Sequence, residues 1–255
     1  MNTTLACTGL NVRAGNRQLV TDLTIEFPVG SFTCVLGLNG AGKTLTLHTL
    51  SGIRTAASGK VLLEGDELGR FSRREIATRL GLLLQTQEDA FPTTVEEAIL
   101  MGAYAQNSLW QQETAGSHAR LEEILSTLDL LNLRQRLTDT LSGGERRRVA
   151  LGTMLLQNPD IWLLDEPTNH LDPLHQLAIM EQLSELKQQD KTIIASIHDP
   201  LIATRYADYA LLLYGDGSWE FGNAGKLISS NNLSRLYGLD YQEISGAAHR
   251  VLVPA

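Results

Sequence analysis

Cysteine is scarce in this sequence. Cys7 and Cys34 are the only two among 255 residues, and neither falls in a CxxC or other zinc-ligand spacing. A disulfide framework and a structural zinc site are thereby excluded, and both read as small core residues in a chain suited to a reducing cytoplasm. Aromatic residues make up only 5%, and basic residues are in the minority, 21 Lys and Arg against 29 Asp and Glu, for a net charge of -8. An acidic chain with few stacking platforms has no whole-protein attraction to a polyphosphate, so no nucleic acid is expected as a partner. Long apolar runs are missing too: nothing reaches the roughly 18 residues needed to cross a bilayer, and MNTTLACTGL has no basic residue and no long apolar stretch. The expectation is a chain neither exported nor membrane-spanning by itself. What remains, 43% hydrophobic and 20% charged residues, is the composition of an ordinary globular protein of one α/β unit.

Hydrophobic patterning divides the chain in three. LNV (10–12), LTIEF (23–27) and KVLLEG predict antiparallel strands in a β-rich N-terminal part. SFTCVLG (31–37) reads as a buried strand, followed by a helix over TLTLHTLSG that Gly52 closes. From about residue 86 to 157 the helical period dominates, in VEEAILMGAYA, HARLEEILSTLDLL and the segment after Ser142. Then strand-like IWLLD (161–165), helical PLHQLAIMEQLSELKQQ, and strand-like KTIIASI and YALLLY alternate, which predicts a parallel sheet with crossover helices. GDGS (215–218) predicts a hairpin, and the segment after Gly238 carries no clear pattern.

Between the strand and the helix lies GLNGAGKT, Gly37 to Thr44, a phosphate-loop pattern in the context it requires. Gly37, Gly40 and Gly42 let backbone N–H groups close around phosphates, and the helix N-terminus adds its positive end. Lys43 would reach the β- and γ-phosphates, and Thr44 would offer a hydroxyl to Mg²⁺. The plain alternative, a glycine turn followed by a basic residue, does not explain the flanking strand and helix.

Asp165 ends a buried strand, where ligands of open α/β sheets gather, and is the candidate for holding Mg²⁺. Glu166 beside it is the candidate general base for an attacking water. His198, in SIHDP after another buried strand, could donate to the γ-phosphate and position the same water, its alternative being a solvent-facing strand end. Gln85, after LGLLL, could reach Mg²⁺ or the water; Gln87 is a competing choice two residues on. His170 and His175 are five apart and share no helix face, and no other histidine shows metal spacing.

LSGGE, Leu141 to Glu145, reads as a capping box in which Ser142 and Glu145 satisfy a helix start, and equally as a second anion cradle through Gly143 and Gly144. This cradle has no lysine and no metal-holding hydroxyl after it. Two unequal half-sites in one chain predict a head-to-tail two-fold dimer in which each phosphate loop faces the other copy's LSGGE. Arg146, Arg147 and Arg148 follow on that helix, and they read as a solvated basic face as readily as anything specific.

With GLNGAGKT, Gln85, LSGGE, IWLLDE, NHLD and His198 in this order, the chain resembles the ABC transporter ATPase family over essentially its whole length. The resemblance implies a RecA-like P-loop core with an antiparallel β subdomain (1–85 and 158–255) and an inserted helical subdomain (86–157). It implies ATP and Mg²⁺ as ligands, with Asn39 and Ala41 in the loop and a dimer closing on two ATP molecules. Asp172 of NHLD would bridge the two sites, and a groove near Gln85 and the helix from Thr94 to Met101 would receive a helix of a permease. The stretches RLGLLLQTQEDAFPTTVEEAILMG, LSRLYGLDYQEI and VLVP resemble, within that family, the ATPases of importers for ferric siderophores, haem and cobalamin. These work at the cytoplasmic face of the membrane with a permease and a separate substrate-binding protein. Members often place an aromatic residue some twenty positions before the loop to stack on adenine. Here that position is Ala14, and Arg13 or Arg17 could stack instead. Leu38 stands for a frequent proline and Glu145 for a frequent glutamine. DEPTNHLD (165–172) also resembles the soluble F subfamily that acts on ribosomes, although this chain has one ATPase unit and no long charged linker.

Overall fold

The computed structural model describes residues 4–85, 92–105, 115–169, 171–245 and 250–255. Gln87, His170 and His249 lie outside them. The N-terminal strands are longer than their apolar cores suggested: β1 (Leu5–Ala14) and β2 (Arg17–Phe27) form a hairpin, because buried and exposed positions keep alternating beyond LNV and LTIEF. β3 (Phe32–Leu36) is buried throughout and leads to α1 (Lys43–Leu50). β4 (Ser58–Leu63) and β5 (Asp66–Glu67) complete an antiparallel sheet of order β2-β1-β4-β5.

Local caps define the helices that follow. α2 (Arg73–Arg79) begins in a capping box of Ser72 and Glu75, and β6 (Leu80–Leu83) follows it directly. α3 (Val95–Leu100) begins in the box of Thr94 and Glu97 and tightens into a 3₁₀ turn over Met101–Ala105. α4 (Ala115–Thr127) precedes α5 (Gly143–Gln157), whose box is Ser142 and Glu145. Arg134 ties this region together, pairing with Glu96 before α3's second turn at 2.5 Å and with Glu122 of α4.

The last part alternates as the sequence implied: β7 (Ile161–Asp165), α6 (Pro173–Gln188), β8 (Thr192–Ser196), α7 (Pro200–Tyr206), β9 (Tyr209–Leu213), β10 (Trp219–Asn223) and α8 (Ala224–Leu227). α9 (Ser230–Tyr237) is stopped by the left-handed Gly238, and the unpatterned segment after it contributes a hairpin of β11 (Tyr241–Ser245) and β12 (Arg250–Pro254).

The main sheet runs β10-β9-β3-β8-β7-β6, parallel except for its edge strand β10. Its central strands are near-continuous apolar runs because both faces are covered. The two-residue side-chain period sends Cys34, Leu36, Trp162, Leu164, Ile193 and Ala195 into a core with α3 to α6. Val35, Ile161, Leu163, Ile194 and Leu211 go into the opposite core with α1 and the antiparallel sheet. Burying both faces leaves the strand ends as the place for polar chemistry. Here the carboxyl ends of β3, β6, β7 and β8 deliver the phosphate loop, Gln85, Asp165 with Glu166, and His198 to one edge.

Candidate nucleotide site

The turn after β3 is made possible by close backbone approach. A Cβ on Gly37 would stand 2.5 Å from the Leu213 carbonyl oxygen, so β3 and β9 could not carry the loop between them with any larger residue. Gly42, the N-cap of α1, has φ 106°, a left-handed conformation that turns the loop into the helix. Lys43 is buried, and its Nζ donates to the Gly37 carbonyl at 2.8 Å and the Leu38 carbonyl at 3.3 Å. Burial pushes its pKa down, opposed by the nearby charges of Glu166 and Asp165.

A cavity of about 590 Å³ opens over this loop. Asn39, Gly40, Gly42, Lys43, Thr44 and Leu45 line it together with Gln85, Glu166, Asn169 and His198 from the other strand ends, and with Ala14 and Leu19 from the N-terminal hairpin. Glu166 sits at φ 53°, a left-handed backbone rare for a residue with a Cβ. Its surroundings impose that geometry. The Glu166 N–H donates to Ser196 Oγ at 2.8 Å, and its carbonyl accepts from the Asn169 N–H at 3.1 Å. Its carboxylate takes bonds from Gln85 Nε2 and Asn169 Nδ2, each at 2.9 Å to Oε2, and meets His198 Nε2 at 2.5 Å through Oε1. Three side chains from three separate strand ends therefore converge on one carboxylate that faces the loop.

Asp165 lies fully buried behind Glu166. Its Oδ1 accepts from Ser196 Oγ at 2.7 Å, while Oδ2 is buried without a hydrogen-bond partner. An orphaned carboxylate oxygen on a residue whose charge acts on Lys43 fits a hard divalent cation, which takes oxygen ligands and few protein groups.

Not every expected residue joins this cleft. Ser142, Gly143 and Gly144 sit at the exposed start of α5, and the capping box is real: Glu145 N–H donates to Ser142 Oγ at 3.3 Å and Ser142 N–H to Glu145 Oε2 at 2.7 Å. That bond holds the Glu145 carboxyl below the usual carboxylate range. Asp172 is the exposed N-cap of α6, its Oδ1 accepting from His175 N–H at 3.0 Å and its Oδ2 meeting His175 Nδ1 at 2.7 Å. In the N-terminal hairpin, Arg17 Nη2 donates to the Gly215 carbonyl at 3.0 Å and Arg13 Nε to Gln18 Oε1 at 2.5 Å, so Ala14 and Leu19 line the cleft and neither guanidinium does.

One expectation needs correction. Of the three arginines read as a solvated face, only Arg146 is exposed; Arg147 and Arg148 are buried. Arg147 donates to the carbonyls of Leu84, Asp165 and Pro167, and Arg148 donates to those of Leu128 at 2.7 Å and Asp129 at 2.9 Å. Backbone carbonyls at strand and helix ends, unsatisfied within their own elements, draw the guanidinium groups inward. Ser196 and Asn169 also escaped sequence reasoning. The available signals were a hydroxyl inside the apolar run TIIASI and an amide three residues beyond Glu166.

A parallel α/β sheet whose strand ends carry a phosphate loop, a carboxylate pair and a histidine defines a P-loop nucleotide hydrolase. Residues 20–169 match the ABC transporter family model. The chain is 34% identical over 231 residues to the ferric enterobactin transport ATP-binding protein of Escherichia coli, spanning 90% of this chain and 85% of that one. It is 31% identical over 249 residues to a hemin import ATP-binding protein of Bradyrhizobium diazoefficiens, 94% and 90% of the two chains. In three dimensions it resembles a metal-chelate type ABC transporter in an inward-facing conformation, with TM-score 0.82, 26% identity, and coverage of 100% of this chain and 98% of that one. The chain belongs to the ABC transporter ATPase family: it is an ATP-binding, ATP-hydrolysing transport subunit with a RecA-like core.

Proposed function

We propose that this subunit powers import of a metal chelate, a ferric siderophore, haem or cobalamin, and does so as a pair of copies beneath a membrane permease fed by a substrate-binding protein. The likeness to a metal-chelate type transporter across 100% of this chain supports the reading. So do the relatives reported above, which are named for ferric enterobactin transport and hemin import. Among the described residues no helix is long and apolar enough to cross a membrane; attachment at the cytoplasmic face through a permease is part of the proposal. The helix from Thr94 and the 3₁₀ turn after it, with Met101 and Tyr104 exposed, are the proposed permease contact, and residues 86–157 the proposed helical subdomain.

In the proposed mechanism, backbone N–H groups from Gly37 to Thr44 hold the phosphates, and Lys43 exchanges its two carbonyl partners for β- and γ-phosphate oxygens. Thr44 Oγ1, Asp165 Oδ2 and the amide oxygen of Gln85 would hold Mg²⁺, which when bound neutralises charge building on the transferred phosphoryl group. Glu166 accepts the proton of a water placed in line with the γ-phosphate. His198 and Gln85 orient its carboxylate. Ser142 and Gly144 of a second copy would close over the same phosphate from the other side, with Asp172 at the seam between the copies.

Purification of the tagged chain in mild detergent from its native membranes, with identification of its companions by mass spectrometry, tests the assignment. A polytopic permease together with a metal-chelate binding protein is the expected result. Ribosomal proteins without a permease would overturn it.

A further inference from the structure

The buried guanidinium of Arg147 is unused by the mechanism above, yet it lies directly beneath it. Arg147 projects from the second turn of α5, five residues beyond Ser142, and is 8% exposed. Its three contacts are all backbone carbonyls: Nη1 on Leu84, Nη2 on Asp165 and Nε on Pro167, the last at 3.3 Å. Two of these close the ends of neighbouring parallel strands. β6 and β7 pair as far as Leu83 with Leu164, so Leu84 and Asp165 are the next residues, where the ladder has run out. One residue further along each chain stand Gln85 and Glu166, whose side chains are joined by a 2.9 Å hydrogen bond. The guanidinium therefore cross-links the two strand ends from one side, and the Gln85–Glu166 bond closes them on the other.

A position that served packing alone would be filled at less cost by an apolar side chain, because burying a guanidinium without a carboxylate contact carries a large desolvation penalty. The burial pushes its pKa down to about 10, with Asp165 and Glu166 opposing the shift. Arginine's planar fork can bond three carbonyls of fixed spacing at once, which a lysine cannot.

We propose that Arg147 is a positioning residue for hydrolysis: by bonding the carbonyls of Leu84 and Asp165 it fixes the separation of Gln85 and Glu166, and with it the geometry of the water-activating carboxylate. The inference rests on the reading of Gln85 and Glu166 as hydrolytic groups.

The test compares wild-type, Arg147→Met, Arg147→Lys and Glu166→Gln chains by circular dichroism, by ATP titration without Mg²⁺, and by steady-state ATP hydrolysis. For folded Arg147→Met, ATP affinity stays within about twofold, since the phosphate loop is untouched, while kcat falls roughly ten- to a hundredfold with KM little changed. Arg147→Lys, which reaches one carbonyl but cannot span three, falls in between and carries the test if the Met variant does not fold. Wild-type kcat in either folded variant overturns the inference, as does a loss of kcat and ATP affinity in step with a loss of folded protein. Wild-type turnover in Glu166→Gln overturns instead the site reading beneath it, and this inference with it.

Discussion

Ser196 and Asp165 face each other on adjacent parallel strands, and the Ser196 hydroxyl donates to Asp165 Oδ1 at 2.7 Å while accepting the Glu166 N–H at 2.8 Å. One buried hydroxyl thus engages one carboxylate oxygen, leaves the other without a hydrogen-bond partner, and anchors the left-handed turn of the next residue. Ser196→Ala is expected to loosen both carboxylates and leave Asp165 Oδ1 and the Glu166 N–H without their partner, at a stability cost of about 1–3 kcal/mol. The Mg²⁺ concentration for half-maximal hydrolysis should rise, with ATP binding in EDTA unchanged. An unaltered Mg²⁺ dependence would remove Ser196 from this role.

Glu166→Gln keeps the shape of the side chain and removes the proton acceptor. ATP binding should persist while hydrolysis falls by about 10²–10⁴-fold, the range general base catalysis supplies. Size-exclusion chromatography with ATP should then show a trapped dimer. A chain that stays monomeric and turns over normally would count against both the base and the ATP-bridged pair.

Lys43 is buried and already carries two carbonyl bonds, so it is pre-placed rather than recruited. Lys43→Ala should weaken ATP binding by roughly tenfold or more through loss of a charge-assisted contact. Calorimetric titration gives the answer, and unchanged affinity would count against the phosphate-loop assignment.

Ala14 and Leu19 line the cavity, and the side chain of neither offers a hydrogen bond or an aromatic face to a base. Discrimination between ATP and GTP is therefore expected to be weak in hydrolysis assays. Ala14→Tyr should tighten ATP binding by a few-fold to about a hundredfold, the range of a base–aromatic stack of roughly 1–3 kcal/mol. Strong preference for ATP in the unaltered chain would show that another group reads the base.

Glu96 joins α3 to Arg134, which bonds it directly and holds its carboxyl below the usual carboxylate range. A depressed carboxylate stabilises the fold above its unfolded pKa and loses that contribution as pH falls through its lower folded value. Thermal stability should therefore drop from about pH 4.5 downward, and Arg134→Ala should flatten that part of the profile. The pair is partly exposed, so the effect is modest and should shrink in salt. An identical pH profile in the variant would show that the pair does not contribute.

Spacing along the chain was enough to mark GLNGAGKT and the Asp165–Glu166 pair as candidates and to identify the capping box at Ser142, because each is made by neighbours within a few residues. The buried strands were equally legible, since a parallel sheet covered on both faces writes itself as short apolar runs. The hairpin after Gly238 was not, because its apolar residues are few and find partners in distant elements, as Leu252 does in the main core.

What only the tertiary structure decided is which polar groups meet. Ser196 stands 31 positions from Asp165 and Gln85 stands 81 from Glu166, and only the register of β6, β7 and β8 brings them together. Arg147 shows the same limit most clearly. A run of three arginines on a helix carries no mark of which one points at open carbonyls, because that depends on where two strands end, and strand ends meet helices only in the folded chain.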